Sequence, residues 1–598
     1  MILKSGGFAP FHPLFTLPFR VSNGLPARGA WPDRRPLGVH RQPCLQCLVY
    51  RRSSAAHDFS PVFPAARNLA GVQSEFMHVP LTPIRCLYRG VDLYGKKIGV
   101  VCGARRFTYA EFGERCERLA AGLLAIGVQP GDRVAYLSFN NHQLLEGYFG
   151  VPLAGAIVMP LNVRLTAAEL TGIVNHAEPR VIVFESEFQP VVEELRRACP
   201  AIERAVEIGE QYEDLLSRGR IQRPDPFSID ETAIAELFYT SGSTGTPKGV
   251  MLSHRTLYLH ALYVANIFCK DDSGVELHTI PLFHANGWGR PQACTFMGLR
   301  HVMVRRFEPA QVLRLIEEER VTGMSLVPTM ANLLLNCPEL GRYDTSSLQT
   351  IMTGGAASSP ELVDRLERAL HCHVEAGYGL TETSPVATAA RRKSTVTYAG
   401  EADRLRRLAM TGWPMPGCEI RVVDLHMNEV ARDMQAVGEV VIRGDIVMDG
   451  YYKEPQATAA AMTGGWLHTG DMAVWDEENY ISIVDRKKDI IVSGGENISS
   501  IEVERGIAAH PAVLECAVVS APDAQWGEVP AAWVVVKPGQ QLDEAQLREF
   551  LESRLAKFKM PRRLHFSSDP LPKTGTGKIL KRELREALWA GKERRIQG

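Results

Sequence analysis

A mostly apolar run, Ala233 to Tyr239, leads straight into Thr240-Ser241-Gly242-Ser243-Thr244-Gly245-Thr246-Pro247-Lys248-Gly249, and this junction constrains the chain more than any other stretch. The apolar run reads as a buried strand. Behind it, Gly242, Gly245 and Gly249 open backbone conformations closed to other residues, so successive amide N–H groups can turn toward an anion. The hydroxyls of Ser241, Ser243 and Thr244 add donors, and Lys248 adds a mobile positive charge. The segment reads as a phosphate cradle. It is not the Walker loop, which needs glycine directly before its lysine, where this chain carries Pro247. A flexible Gly/Ser/Thr linker is the competing reading, but linkers do not usually follow an apolar strand or end in Pro-Lys-Gly.

A chain of 598 residues is too long for one core and divides into at least two domains. A formal net charge of −1 gives no general electrostatic attraction to nucleic acid or an anionic membrane. The 12 cysteines are scattered, which argues for reduced thiols in a cytosol-like compartment and a cytoplasmic location. Cys44 and Cys47 have metal spacing but lack a second pair. The longest apolar stretch, Gly147 to Val163, contains Pro152 and Pro160 and is short for a bilayer span, so it reads as a core helix–turn–strand, with no integral membrane segment expected.

Residues 1–76 are rich in Arg, Pro and Phe, poor in acid and without sustained period. Two readings stand: a transit peptide, or sequence that is not native coding, with translation starting at Met77. From Leu93 onward short strands (98–102, 107–109, 134–137, 156–161, 181–184) alternate with helical stretches such as 110–126, which Gly127 closes. That alternation predicts an α/β fold with mostly parallel sheets covered by helices.

Further along stand Pro281-Leu282-Phe283-His284-Ala285-Asn286-Gly287-Trp288, then Met352-Thr353-Gly354-Gly355, then Gly377-Tyr378-Gly379-Leu380-Thr381-Glu382-Thr383. Trp466-Leu467-His468-Thr469-Gly470-Asp471 follows, then Asp485-Arg486-Lys487-Lys488-Asp489, then the Gly494-Gly495 turn, and near the end Lys573-Thr574-Gly575-Thr576-Gly577-Lys578. Each has a bland alternative: a core aromatic for Trp288, a turn carboxylate for Asp471, a solvated charge run around Lys488, a surface loop for Lys578. Together, in this order from about Leu81 to the end, they resemble the adenylate-forming enzymes, the superfamily of acyl-CoA synthetases, aryl-CoA ligases, luciferases and peptide-synthetase adenylation domains.

The resemblance implies a large N-terminal adenylation domain of stacked, mostly parallel sheets over 77–486 and a small mobile α/β lid over 487–598. It implies that Thr240, Ser241, Gly242, Ser243, Thr244, Gly245 and Lys248 hold the phosphates of ATP. Gly355 and Tyr378 would line the adenine pocket, Asp471 would take the ribose hydroxyls, and Arg486 would pair with ribose or phosphate. Thr381 would donate to the α-phosphate, and Glu382 with Thr244 would hold Mg²⁺. His284 would lie beside the carboxylate being activated, with Trp288, Gly354 and Gly377 around the acyl chain. Gly494 and Gly495 would line the coenzyme A tunnel, Lys488 would be the hinge, and Lys578 would bridge carboxylate and α-phosphate. Trp413 departs from the family, whose members commonly carry a small residue or arginine there.

A carboxylate is a poor electrophile because its leaving group would be oxide; transfer to AMP makes that oxygen a good leaving group for attack by a thiol. The expected activity is therefore ATP-dependent ligation of a carboxylic acid to coenzyme A through an acyl-adenylate. The Trp288 context tilts the acid toward a medium or long aliphatic chain, with a short-chain or aromatic acid as runner-up. A non-catalytic nucleotide sensor would be expected to lose Glu382 or Lys578, and both are present. By analogy the oligomer is a homodimer.

Overall fold

The computed structural model describes residues 79–240, 247–487, 489–493, 496–573 and 579–590. The 1–76 segment, Ser241, Gly242, Ser243, Thr244, Gly245, Lys488, Gly494, Gly495 and Lys578 lie outside the described residues.

Regular structure begins before Leu93. Thr82 caps a helix, Pro83–Tyr94, by accepting from the Ile84 N–H, and Pro83 takes the first turn, where a missing N–H costs nothing. Ile84, Cys86, Leu87 and Tyr88 are buried on its inner side. Next comes the hairpin Ile98–Cys102 and Arg105–Thr108. Tyr109, read from sequence as the end of the second strand, instead opens the helix Tyr109–Ala125. The reason is a capping box: Thr108 accepts from the Glu111 N–H while the Glu111 carboxylate accepts from the Thr108 N–H. Gly127, at φ +93, turns the chain out of that helix as expected.

The stretch from 147 to 163 is the helix–turn–strand that its prolines suggested. The helix His142–Leu153 is buried throughout, and the strand Ile157–Pro160 is buried on both faces, as befits an interior strand of a parallel sheet.

Among the described residues, two large sheets form the body. One has seven strands in the spatial order 450–451, 248–253, 234–240, 157–160, 133–137, 181–184, 204–207; it is parallel from 234–240 onward and antiparallel before. The other has nine, with a parallel interior that includes Gly323–Leu326, Thr350–Thr353 and His373–Gly379. An antiparallel five-stranded sheet adds Cys418–Val423, Gly438–Gly444, Met462–Thr463, Trp466–Trp475 and Ile481–Arg486. Thr240, Thr353 and Gly379 each end a strand, so the motifs they belong to emerge at carboxyl ends of strands, where open α/β sheets bind ligands.

The C-terminal unit is a second α/β element with its own core, which includes Ile491, Val503, Ile507, Val518, Val534, Leu547 and Leu551. Its sheet is built on the long antiparallel pair Val513–Asp523 and Gly527–Val536. A seam of polar contacts ties this unit to the strand Ile481–Arg486. Ser499 Oγ donates to the Val484 carbonyl, and the Ser500 N–H donates to Asp485 Oδ2 at 2.7 Å. Beyond position 488, Arg585 of the terminal helix Lys581–Trp589 pairs with Asp489, and Lys581 pairs with Glu504 at 2.8 Å.

Candidate active site

The strand Ile234–Thr240 and its antiparallel partner Lys248–Ser253 bracket the phosphate cradle, with Thr240 opposite Lys248 in register. Lys248 places its ammonium 4.9 Å from the centre of the Tyr451 ring, a cation–π distance. The Tyr451 hydroxyl donates to Glu382 Oε1 at 2.9 Å. Burial, and then the Glu382 carboxylate, push the Tyr451 phenol far above its ordinary range, so the hydroxyl stays a donor and holds Glu382 in one orientation. Three elements distant in sequence thereby converge: the cradle lysine, the Thr381–Thr383 turn, and the two-residue strand Gly450–Tyr451 that pairs with Met251 and Val250. Thr381 heads the same turn as Glu382.

Sequence reasoning missed Tyr451. Two residues of strand are too few for any period to register, and an aromatic beside an aromatic, Tyr451-Tyr452, carries no signature of its own.

The second constellation lies on the antiparallel sheet. Asp471 and Arg486 are directly opposite in register, and Arg486 Nε lies 3.0 Å from Asp471 Oδ1. The other carboxylate oxygen, Oδ2, accepts from the Tyr378 hydroxyl at 2.7 Å. Gly470, at φ +69 inside the strand Trp466–Trp475, sits where the register with Gly438–Gly444 shifts, just before the carboxylate. Asp471 is the first cause holding the Arg486 guanidinium above its ordinary value, while burial and then Asp471 raise the Tyr378 phenol. Glu382 also acts on Arg486, so the two constellations lie within electrostatic reach of one another. Each carboxylate oxygen keeps a further acceptor site, which suits a vicinal diol.

The third constellation is apolar. A Cβ built on Gly354 would lie 3.0 Å from Trp288 Cη2 and 3.3 Å from the Gly377 carbonyl; one on Gly355, which has φ +74, would lie 3.6 Å from Trp288 Cζ2. The indole therefore lies against the small-residue turn, bringing Trp288 to Gly354, the Gly377 carbonyl and also Gly355, which the resemblance assigned to the adenine pocket. Trp288 is only 6% exposed and belongs to the core around the nine-stranded sheet, so it is a core aromatic as well as a wall residue. His284, half-buried, stands just before the turn Ala285–Gly289. Trp413 lies elsewhere: its Nε1 donates to the Arg391 carbonyl at 2.9 Å, and Lys393 sits 5.5 Å from its ring.

Glu382, oriented by Tyr451, fits Mg²⁺, which is typically held by one or two carboxylates together with substrate phosphates and keeps several waters. No cluster of three or more His, Cys, Asp or Glu ligands occurs among the described residues. No described helix is long and apolar enough to cross a membrane.

The strand ends flanking the Gly-rich segment, the oriented carboxylates Glu382 and Asp471, and the small-residue turn against Trp288 carry the motifs of an adenylate-forming enzyme on two large sheets and an antiparallel one. Residues 87–452 match the AMP-binding enzyme family and residues 502–578 its C-terminal domain, and the chain belongs to that family. It is 39% identical over 516 residues to a long-chain-fatty-acid–CoA ligase of Thermus thermophilus, covering 84% of this chain and 94% of that one. It is 35% identical over 545 residues to a peroxisomal butyrate–CoA ligase, AAE11, of Arabidopsis thaliana, covering 86% and 94%. Among solved structures, an anthranilate CoA ligase, AuaEII, in complex with anthranoyl-AMP superposes with a TM-score of 0.79 at 25% identity, covering 86% of this chain and 99% of that one. ATP-bound MatB from Rhodopseudomonas palustris gives a TM-score of 0.75 at 29% identity, covering 84% and 98%.

Proposed function

We propose that this AMP-forming acid–CoA ligase acts on a medium- or long-chain fatty acid. The observation that carries this reading is the Trp288 indole lying against Gly354 and Gly355 beside Gly377, an apolar wall next to the nucleotide-binding residues. The likeness to the Thermus thermophilus enzyme supports the same class of acid.

In the first half-reaction a carboxylate oxygen attacks the α-phosphorus of ATP, forming the acyl-phosphate bond of acyl-AMP and expelling pyrophosphate. Lys248 and the cradle hold the phosphates, Thr381 donates to the α-phosphate, Asp471 with Arg486 holds the ribose, and Tyr378 covers the adenine face. Mg²⁺ would be held by Glu382 and Thr244 and would neutralise phosphate charge. Lys578 bridges the acid and α-phosphate as charge redistributes, a task suited to a compact ammonium. In the second half-reaction the coenzyme A sulfur attacks the acyl carbon past Gly494 and Gly495, and AMP leaves with the carboxyl oxygen. His284 sits beside the reacting carboxyl in both. The domain boundary is placed at 486/487, with Lys488 as the pivot.

Pyrophosphate release and acyl-CoA formation, measured across butyrate, octanoate, dodecanoate, palmitate and benzoate, test this. The highest kcat/KM is expected for an aliphatic acid of eight carbons or more, roughly tenfold or more above benzoate, the scale of a few methylenes in an apolar pocket. A preference for benzoate or butyrate would overturn the reading.

A further inference from the structure

The turn Ala285–Gly289 is built in a conformation that its residues resist. Ala285, Asn286, Gly287, Trp288 and Gly289 all have positive φ, between +42° and +73°, a left-handed turn that costs about 1–2 kcal/mol for each non-glycine residue. Such a backbone persists only where its surroundings hold it. Gly289 is held sterically: a Cβ there would lie 2.4 Å from His260 Cε1, and the His260 Nε2 in turn accepts from the Val386 N–H at 3.1 Å.

The polar hold comes from the opposite sheet. Glu236, on the strand that leads into the phosphate cradle, is 1% exposed. Asn286 Nδ2 donates to Glu236 Oε2 at 3.3 Å and Gln292 Nε2 donates to Glu236 Oε1 at 2.6 Å. Asn286 also closes the turn on itself, accepting from the Gly289 N–H at 2.6 Å, and reaches the Ser384 carbonyl at 3.4 Å. A buried carboxyl normally sits beside a cation. This one is bracketed by two amides, and the titratable group that faces it is the buried Tyr148 of the helix His142–Leu153.

We propose that Glu236 is a positioning residue for the acid: through Asn286 and Gln292 it holds the left-handed turn, and with it Trp288 and His284, in the shape that decides which acyl chain the site accepts. The proposal rests on the reading of Trp288 as the acyl wall. The carboxyl does no chemistry itself. It joins the phosphate-cradle strand to the acyl wall, so the two halves of the site keep a fixed separation. Burial pushes the Glu236 carboxyl up to about 8, so it is mainly neutral at pH 7. A neutral carboxyl needs one acceptor. Gln292 Oε1 is buried without a partner, and a half-turn of that amide presents it to Glu236.

The test compares kcat/KM over the same panel of acids, the KM for ATP, and the melting temperature, for wild type, E236L, E236Q, N286G and W288A at pH 7. Glycine at 286 takes the left-handed backbone without strain, but N286G removes both the amide link to Glu236 and the closure on the Gly289 N–H, so it reports on the turn as a whole. The expected result is that E236L and N286G change the ratio of long- to short-chain kcat/KM by about tenfold, the scale of one lost buried hydrogen bond, at unchanged KM for ATP. E236Q, which keeps shape and a donor–acceptor pair, retains the wild-type profile. W288A separates the two readings. If W288A leaves the profile unmoved, the acyl-wall reading itself falls and this proposal with it. If W288A moves the profile while E236L and N286G leave it unmoved, or scale all acids equally, the acyl wall stands and the positioning role of Glu236 is overturned. Should E236L fail to fold, Q292L, which removes the other amide from Glu236 and leaves the Asn286–Gly289 closure intact, separates these outcomes: a moved profile supports the positioning role and an unmoved one overturns it.

Discussion

Glu382 is held by a phenol and Asp471 by a phenol and a guanidinium, and both phenols lie far away in sequence while the guanidinium comes from the next strand. Orientation, more than presence, is what these partners supply. Tyr451→Phe keeps the ring under Lys248 but removes the donor to Glu382. It is expected to lower acyl-AMP formation by about tenfold while leaving the KM for the acid unchanged, measured by pyrophosphate release. Trp288→Ala is expected to shift the chain-length profile with little change in the KM for ATP; lost stability with an unmoved profile would mark the indole as core alone. Asp471, Arg486, Tyr378 and Glu382 were legible because each stands in a motif dense enough to be recognised. Tyr451 and Glu236 were not. A buried glutamate in an apolar run reads from sequence only as a blemish in a strand, since its meaning lies in amides contributed from across the molecule at 286 and 292.

At the scale of elements, local signals worked where capping or apolar periods were strong and failed where geometry came from elsewhere. Thr108 and Glu111 contained the whole reason for the helix boundary at Tyr109, and Thr82-Pro83 is a legible helix start that the absence of period before it concealed. The left-handed turn had no such signal, because Ala and Trp disfavour it and only tertiary contacts impose it. Those contacts carry a pH dependence. With the Glu236 carboxyl raised to about 8 in the folded chain and near 4.5 when unfolded, the unfolded state releases a proton first as pH rises. Stability is therefore expected to fall through this window, by at most one proton's linkage, and to level off above it. E236Q should flatten that slope in a series of melting temperatures; an identical slope in both proteins would contradict it.

Across the whole molecule, the expectation of a large body and a small C-terminal unit came from the resemblance, whereas the α/β class followed from alternating strands and helices and a division into at least two domains from length. The antiparallel sheet that carries Asp471 and Arg486 did not, because its strands are irregular and paired over long distances. In the proposed mechanism Lys578 serves only the first half-reaction, so Lys578→Ala is expected to slow acyl-AMP formation by roughly a hundredfold while supplied acyl-AMP and coenzyme A still give thioester at near wild-type rate. Lys488→Pro, which fixes the pivot dihedral, should do the reverse. Equal damage to both steps by Lys578→Ala in single-turnover assays would refute the division of labour. The seam around that pivot then has a mechanical consequence. Ser499 and Ser500 grip Val484 and Asp485 from across the fulcrum, whereas Arg585 grips Asp489 on the lever's own side. If the C-terminal unit turns at Lys488 as proposed, the swing must unfasten the first pair and can keep the second, so the two serines would act as a latch on that rotation without touching either reaction.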